Sequence, residues 1–475
     1  MVDSWMMDWM SRTIERARLD SLSGGREDHQ PGEQLKLLFA GYNGAYNMGA
    51  DVRVEEMIRQ VSHLLGPDRL DASVFRYEDP RVNYYFGDAR KLQPQVLFPR
   101  YLNRIVPEHD GVIACEGSTF KSKFTDLLSA LMVGAMGLAS ANDRLSVAYG
   151  AEAGDMTPEL TEMVTKYCRD SYIITRNQES SDRLKLLGLD SDTGTDTAWS
   201  FEPLPREYGE WELRKQGWRG EPLLMVCPIN PFWWPVQIHL RKSIARIFGM
   251  YRNSHYARVF FFQNHREVEE KFDRYLRALA GAVSAFCKKR GYFPVVGASE
   301  RLDQFAMRRL SSLLGGTPTF LSSEYDVCQF VSILRCADLM VSSRYHAVVT
   351  SMPGGVASAG VSMDERLDNL MHDRGHRHLL MNVAQPDLEE RLFTVLENLR
   401  QDREQIQDEI SATVVRHLGM MSEMGSRLLG HIGDRYPEFA DQKPNRSWEG
   451  YLPPLSEQLH RQIEIHEDVV TPAAA

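Results

Sequence analysis

Short, almost wholly apolar runs recur along this chain, each followed by a polar or glycine-rich turn and then by a stretch with helical spacing. Residues 35–40, 74–77, 111–115, 145–149 and 171–175 form a first series, with helical patterns over 51–65, 124–140, 157–168 and 177–187 between them. A second series begins near Glu221. Its apolar runs are 223–227, 293–296, 319–321, 338–341 and 355–359, and its helical patterns are 267–290, 302–314 and 327–336. Strands that are apolar on both faces are buried on both faces, and alternation with helices builds a parallel sheet covered on each side. Two such series predict an α/β protein with two Rossmann-like doubly wound domains facing a cleft, at residues 35–205 and 220–385. Residues 1–34 read as an amphipathic helix and a linker. Residues 386–475 read as a helical extension ending in a Pro-rich tail, with 443–454 wrapping the surface.

Bulk properties exclude several classes. The formal net charge is −10 and the pI is near 5.8, whereas a nucleic-acid protein usually carries a basic footprint. No apolar run approaches the ~20 residues of a membrane span. The first residues lack a basic segment followed by an apolar one, so no secretory signal is read. The six cysteines are scattered without a C-x-x-C pair, which fits reduced core residues. The expected location is cytoplasmic. Trp5, Met6, Trp9, Met10 and Ile14 repeat at helical spacing. That face is expected to pack on its own fold. Contact of residues 1–20 with a partner protein or the inner face of the membrane stays open, as does a homo-oligomer.

The segment 339–351 reads Leu-Met-Val-Ser-Ser-Arg-Tyr-His-Ala-Val-Val-Thr-Ser. A buried strand stops at Ser342-Ser343, and Arg344 and His346 follow where a helix starts. In open α/β sheets ligands bind at that edge, and a helix start favours an anion. Arg344 is suited to gripping a phosphate or carboxylate at two points. His346 is suited to exchanging a proton near neutrality. Arg176 repeats this placement after the run 171–175, so a two-point anion clamp with one Arg from each domain is expected.

Other strand ends carry further candidates. The loop from Gly41 to Asp51, with Asn43 and Asn47, joins a strand to a helix but lacks the G-x-G-x-x-G dinucleotide pattern. After the run 111–115 come Glu116, Gly117, Ser118, Lys121 and Lys123. Glu116 is read either as a partly desolvated acid or base with a raised pKa or as a partner of the lysines. Trp233 and Trp234 follow the run 223–227 and form either a platform for a sugar ring or a core plug. His372, His376 and His378 cluster beside Arg374 and Arg377, which argues for a solvated loop over a metal site.

In this order the landmarks resemble the polysaccharide pyruvyl transferase family, from about Leu35 to about Leu392. The resemblance rests on Asn47 and Gly49; on Glu116-Gly117-Ser118; on Tyr149-Gly150 with Gly154; and on Thr175-Arg176 with Ser180, Leu184, Leu187-Gly188 and Asp196. It continues with Ser342-Ser343-Arg344-Tyr345-His346-Ala347, then Asp364-Glu365-Arg366 with Asn369-Leu370-Met371. Such a resemblance implies a GT-B-like two-domain fold whose C-terminal domain carries the donor site. It implies transfer of the pyruvyl skeleton of phosphoenolpyruvate onto hydroxyls of a glycan or lipid-linked sugar, usually leaving a pyruvate ketal. Arg176 and Arg344 then hold the donor's carboxylate and phosphate, with Ser343, Gly117 and Ser118 beside them. His346 is at the phosphate or donates the proton. Glu116 and Asp51 are candidates for the base, and Asn43, Asn47, Trp233 and Trp234 for the acceptor. The partners expected are phosphoenolpyruvate as donor substrate and a carbohydrate acceptor. No cofactor and no metal are expected.

The sequence departs from the family pattern in four places: Ala50 between Gly49 and Asp51, Cys115-Glu116 before Gly117, Asp155 after Gly154, and Arg366 where a Lys is common. These touch the acceptor-side loops more than the donor-side residues. Two other functions fit the scaffold. One is a nucleotide-sugar glycosyltransferase, which calls for a carboxylate to hold a ribose. The other is a non-catalytic glycan-binding relative, which has no need of a proton donor beside two cations.

Overall fold

The computed structural model describes residues 2–23, 29–77, 86–123, 125–234, 237–238, 255–257, 260–261, 263, 265–441, 443 and 446–470. Residues 24–28 of the expected linker, Phe124 at the expected helix start, residues 235–236 after the tryptophans and residues 444–445 of the Pro-rich stretch lie outside these. The chain divides into two units. Unit 1 comprises Met1–Ala45, Ala50–Ser200 and His417–Leu455; unit 2 comprises Tyr46–Gly49, Phe201–Arg416 and Ser456–Ala475.

Unit 1 is built on a parallel sheet of seven strands: β1 (Leu35–Ala40), β2 (Leu70–Phe75), β3 (Arg90–Leu92), β4 (Gly111–Ala114), β5 (Leu145–Ala151), β6 (Tyr172–Thr175) and β7 (Asp192–Thr193), in the order β3-β2-β1-β4-β5-β6-β7. In β1 the residues on both faces, Leu37, Leu38, Phe39 and Ala40, are wholly buried, as a central parallel strand requires. The winding reverses between β1 and β4. The loops after those two strands therefore leave in opposite directions, which opens the crevice where such sheets hold ligands.

Helices α1 (Val2–Leu22), α2 (Met48–Leu65), α3 (Phe98–Ile105), α4 (Asp126–Ala141), α5 (Pro158–Tyr167) and α6 (Gln178–Leu186) accompany this sheet. Thr125 caps α4 by accepting from the Leu127 N–H at 3.3 Å, and nearly every later position of α4 is buried. Its small residues let α1 approach closely. A side chain at Gly134 would fall 2.7 Å from Cγ of Met10, and one at Gly137 would fall 2.9 Å from Cδ1 of Ile14. Met6, Met7, Met10, Ile14 and Ala17 are buried in that packing, whereas Trp5 stays half-exposed.

The C-terminal residues of unit 1 share its interior. Gln60 of α2 donates to the carbonyls of Met421 and Tyr451 at 3.0 and 2.9 Å and accepts from the Tyr149 hydroxyl at 2.9 Å. Met421, Met424 and Leu428 are buried. The helix Arg403–Arg435 thus begins in unit 2 and ends in unit 1.

Unit 2 repeats the winding. Its parallel strands are β8 (Leu223–Cys227), β12 (Phe293–Ala298), β13 (Thr319–Leu321), β14 (Leu339–Ser342), β15 (Ala357–Ser362) and β16 (Leu380–Asn382), ordered β13-β12-β8-β14-β15-β16. Three short antiparallel strands, β9 (Gln237–Ile238), β10 (His255–Ala257) and β11 (Phe260–Phe261), form a separate sheet. Here the reversal falls between β8 and β14. One helix, α7 (Arg206–Lys215), precedes β8. It was not read from the sequence, because its charged residues hide the short apolar stripe ending at Leu213.

The histidine cluster corrects one expectation. His376 is buried and its Nε2 lies 2.6 Å from Oε2 of Glu409. Arg374 beside it is also buried and bonds Ser358. His372, Arg377 and His378 are solvated. The loop is pinned because its charged groups find carboxylate, hydroxyl and carbonyl partners on neighbouring elements.

Truncating Met10 removes most of the side chain filling the notch over Gly134. Met10→Ala should destabilise the protein by about 2–5 kcal/mol, read as a lowered denaturant midpoint. An unchanged midpoint would show that the face of α1 is not part of the core.

Candidate functional site

In unit 2, β14 delivers its end with little freedom. The Ser343 N–H donates to the Cys227 carbonyl of β8 at 3.0 Å, and the Ser343 hydroxyl meets the Tyr275 hydroxyl at 2.8 Å. The Ser342 hydroxyl accepts from the Arg344 N–H at 2.9 Å. Arg344 is the last extended residue before the helix Tyr345–Ser351.

Its guanidinium is already engaged. Nε donates to one oxygen of Asp303 at 2.8 Å and NH2 to the other at 2.5 Å, while NH2 also reaches Oε2 of Glu300 at 2.7 Å. Both acids stand on the turn after β12, and Asp303 is wholly buried. Burial pushes the Asp303 carboxyl up to about 6, against the pull of Arg344. Together the two acids raise the pKa of Arg344, so its charge is permanent. The sequence led to an expectation of a guanidinium open to an anion; the structure instead gives it two carboxylate partners.

His346 is half-buried and stands edge-on to Tyr345, with ring centroids 5.0 Å apart. On another side it meets backbone. A methyl group added at Gly49 would fall 2.5 Å from Cγ and 2.9 Å from Cβ of His346. Gly49 is held there by the segment before it. The Met48 N–H donates to the Ser299 carbonyl at 2.9 Å, and Asn47 pairs with Glu300 in an isolated bridge. The Tyr46 carbonyl accepts from the Arg301 N–H at 3.2 Å and from the Ser322 hydroxyl at 3.0 Å. These bonds hold Tyr46 in a left-handed conformation, φ +59°, which a non-glycine residue adopts at a cost. Asn47 also accepts from the Gly49 N–H at 3.1 Å.

In unit 1, Arg176 leaves β6 and lies buried. Its NH2 is 2.7 Å from Oε2 of Glu152, and its NH1 is 3.3 Å from Oδ2 of Asp196. Lys121 reaches the same Glu152 oxygen at 2.8 Å, and Arg53 of α2 reaches Asp196 at 3.1 Å while donating to the Gly150 carbonyl at 2.6 Å. Gly117 fits beneath these cations: a Cβ there would stand 3.1 Å from NH1 of Arg176 and 3.2 Å from NH1 of Arg53. Arg53 and Glu152 were missed by the sequence reading. The signal for Arg53 was a charge inside the apolar stripe Val52-Arg53-Val54. For Glu152 it was an acid directly after a strand, as at Glu116.

The remaining candidates divide. Glu116 is half-buried and accepts from the Gly117 N–H at 3.0 Å; the Ser118 carbonyl accepts from Ser129 at 3.0 Å. Asp51 is buried and accepts from the Gly44 N–H at 2.6 Å. Asn43 is wholly buried and donates to Sγ of Cys115 at 3.6 Å, so it braces two loops. Trp233 is buried against Val268 and Phe305, its ring edge-on to Phe305 at 5.4 Å, with Trp234 packed beside it. That is the packing of the core plug, because the aromatic surface is spent on apolar neighbours. Among the described residues no cluster of three metal-ligating side chains occurs and no helix is long and apolar enough to cross a membrane.

Residues 65–365 match the family model of polysaccharide pyruvyl transferase. The chain belongs to the polysaccharide pyruvyl transferase family. That span holds Arg176, Arg344 and His346, and membership makes the protein a glycan-modifying transferase. No curated protein matches the chain.

Among solved structures, TcCGT1 in complex with UDP is similar at TM-score 0.51 and 8% identity, covering 86% of this chain and 100% of that one. The S. aureus MnaA–UDP structure is similar at TM-score 0.50 and 10% identity, covering 87% and 100%. A Listeria monocytogenes protein described as a UDP-N-acetylglucosamine 2-epimerase is similar at TM-score 0.50 and 12% identity, covering 84% and 97%. At these identities the likeness is one of fold, and it gives this member of the pyruvyl transferase family a GT-B-like architecture of two parallel-sheet α/β units.

Two expectations follow. Gly49→Ala forces the His346 side chain to move, and should cost about 1–3 kcal/mol and shift the His346 ring resonances. Unshifted resonances would show that the contact is absent. Asp303 binds its proton more tightly in the native protein than at its ordinary value of 3.8. Protons are thus held in excess by the native state between about pH 4 and 6, and the stability this group contributes falls as pH rises through that window. Asp303→Asn should lack that slope in denaturation measured across the window; a parallel pH dependence would contradict the assignment.

Proposed function

We propose that this member of the family transfers the pyruvyl group of phosphoenolpyruvate onto hydroxyls of a glycan or lipid-linked sugar, leaving a pyruvate ketal. The observation that carries this reading is the end of β14 within the family match: a permanent cation, Arg344, with an imidazole, His346, two residues on. The reaction calls for those groups. Protonation of the donor's methylene carbon makes C2 electrophilic, and a sugar hydroxyl attacks it. A second hydroxyl then displaces phosphate and closes the ketal. Such chemistry needs a proton donor, a base for the hydroxyls and fixed positive charge for the carboxylate and departing phosphate.

In this reading His346 supplies the proton or meets the phosphate. Its seating on Gly49 limits how far the ring can swing, which favours one direction of transfer. In unit 2 Arg344 is assigned to the donor's anionic groups, with Ser343 next to it in the chain; in unit 1 Arg176, with Gly117 and Ser118, is the other candidate for such a group. Asp51 and Glu116 remain the candidates for the base, and Asn47 for the acceptor. Trp233 drops out of the acceptor set because its ring is used in packing. The UDP of two structural neighbours belongs to those proteins.

A ligand that binds the native state raises its melting temperature. Millimolar phosphoenolpyruvate should stabilise the wild type and leave Arg344→Ala unaffected. His346→Ala should keep most of that stabilisation and release phosphate at least 100-fold more slowly in the presence of acceptor, the usual scale of a lost acid–base group. Stabilisation by UDP-sugars and none by phosphoenolpyruvate would move the assignment to glycosyl transfer.

A further inference from the structure

Arg344 stands in an unusual charge balance for a residue that is to receive an anion. One guanidinium faces two carboxylates, Asp303 through a two-point contact and Glu300 through NH2. The local sum is therefore one negative charge. Asp303 is wholly buried and Glu300 nearly so, which leaves little water to screen the excess. A donor bearing a carboxylate and a phosphate would add at least two more negative charges. Like charges enclosed together do not all stay ionised; one of them takes a proton.

We infer that the donor binds at Arg344 together with a proton, and that Asp303 is the residue that takes it up. This inference rests on the assignment of Arg344 to the donor. It makes Asp303 a positioning residue, acting on the donor through Arg344. As a carboxylate it fixes the guanidinium plane in the free protein; as an acid it gives up part of its hold, and the guanidinium turns its charge toward the incoming anion. The proton comes from solvent and leaves with the product, so no net acid is consumed.

The surroundings of Asp303 single it out. Among the described residues, the groups that face it include Arg344 from the end of β14, Glu300 from its own turn, the Cys227 thiol at the end of β8 and the Tyr275 phenol from the helix Arg266–Arg290. Arg344 keeps its charge at any accessible pH. Burial raises both Cys227 and Tyr275 far above neutrality, so neither changes charge near pH 7. Burial also brings Asp303 close to the range where a proton is readily taken up.

The test is titration calorimetry of phosphoenolpyruvate into wild type, Asp303→Asn and Glu300→Gln at pH 7, in two buffers of different ionisation enthalpy. The protons that the ligand itself exchanges are common to all three and cancel in the comparison. Wild type should take up about one proton more per bound donor than either variant. Its affinity should fall about tenfold more steeply per pH unit above pH 7 than that of Asp303→Asn. Glu300→Gln serves where Asp303→Asn fails to fold, because removing either carboxylate removes the excess charge. Equal proton uptake in wild type and variants would overturn the inference and show that a carboxylate swings aside instead. Absence of phosphoenolpyruvate binding to wild type would overturn the donor assignment itself.

Discussion

A guanidinium taken out of water has to find a carboxylate, and that requirement shapes the working edge of each unit. In unit 1, Arg176 is buried between Glu152 and Asp196. In unit 2, Arg344 is nearly buried between Asp303 and Glu300. Breaking such a pair leaves a buried charge uncompensated, at roughly 3–5 kcal/mol. The pairs therefore act as constraints: they fix where each Arg can point, and they hold the turns that carry the acids. Parallel strands buried on both faces have no other place for charge. Polar chemistry is displaced to the strand ends, and the reversal of winding in each sheet leaves space there.

The sequence made the strand ends legible. The apolar runs of β1, β4, β8 and β14 are two-sided and short, and they can hardly be read as anything else. The helices with small residues or clear stripes were legible too. What escaped notice was short or charged: β3, β7, β16 and α7 carry too few apolar residues to show a period. The chain segments 46–49 and 417–455 were also invisible in this respect, because sequence periodicity says which face is buried and not in which unit.

The candidate site was legible in part and for the same reason. Arg176, Arg344 and His346 stand directly after strands, where an apolar run ends in a charge. Their partners were not legible. Asp303 and Glu300 stand where an apolar run gives way to the helical pattern 302–314, which does not say which Arg they pair with, and Arg53 stands between Val52 and Val54 in a helix that carries other charges as well. An isolated Arg in a sequence looks like an open anion site; the packed protein shows which acids share it. Asn43 and Trp233, expected at the acceptor, are buried in bracing and packing contacts, since polarity and aromaticity in a loop are used as readily for bracing as for binding.

We propose that the charges at the strand ends serve the transfer of a pyruvyl group from phosphoenolpyruvate to a glycan. Following carbon and phosphorus together tests it most directly. The protein is incubated with phosphoenolpyruvate labelled with ¹³C at C2 and a pool of hexose-containing oligosaccharides. The expected result is that the label moves to the glycan as a ketal carbon, with one inorganic phosphate released for each label transferred. A glycan that gains a sugar from a nucleotide sugar, with the labelled phosphoenolpyruvate untouched, would contradict it.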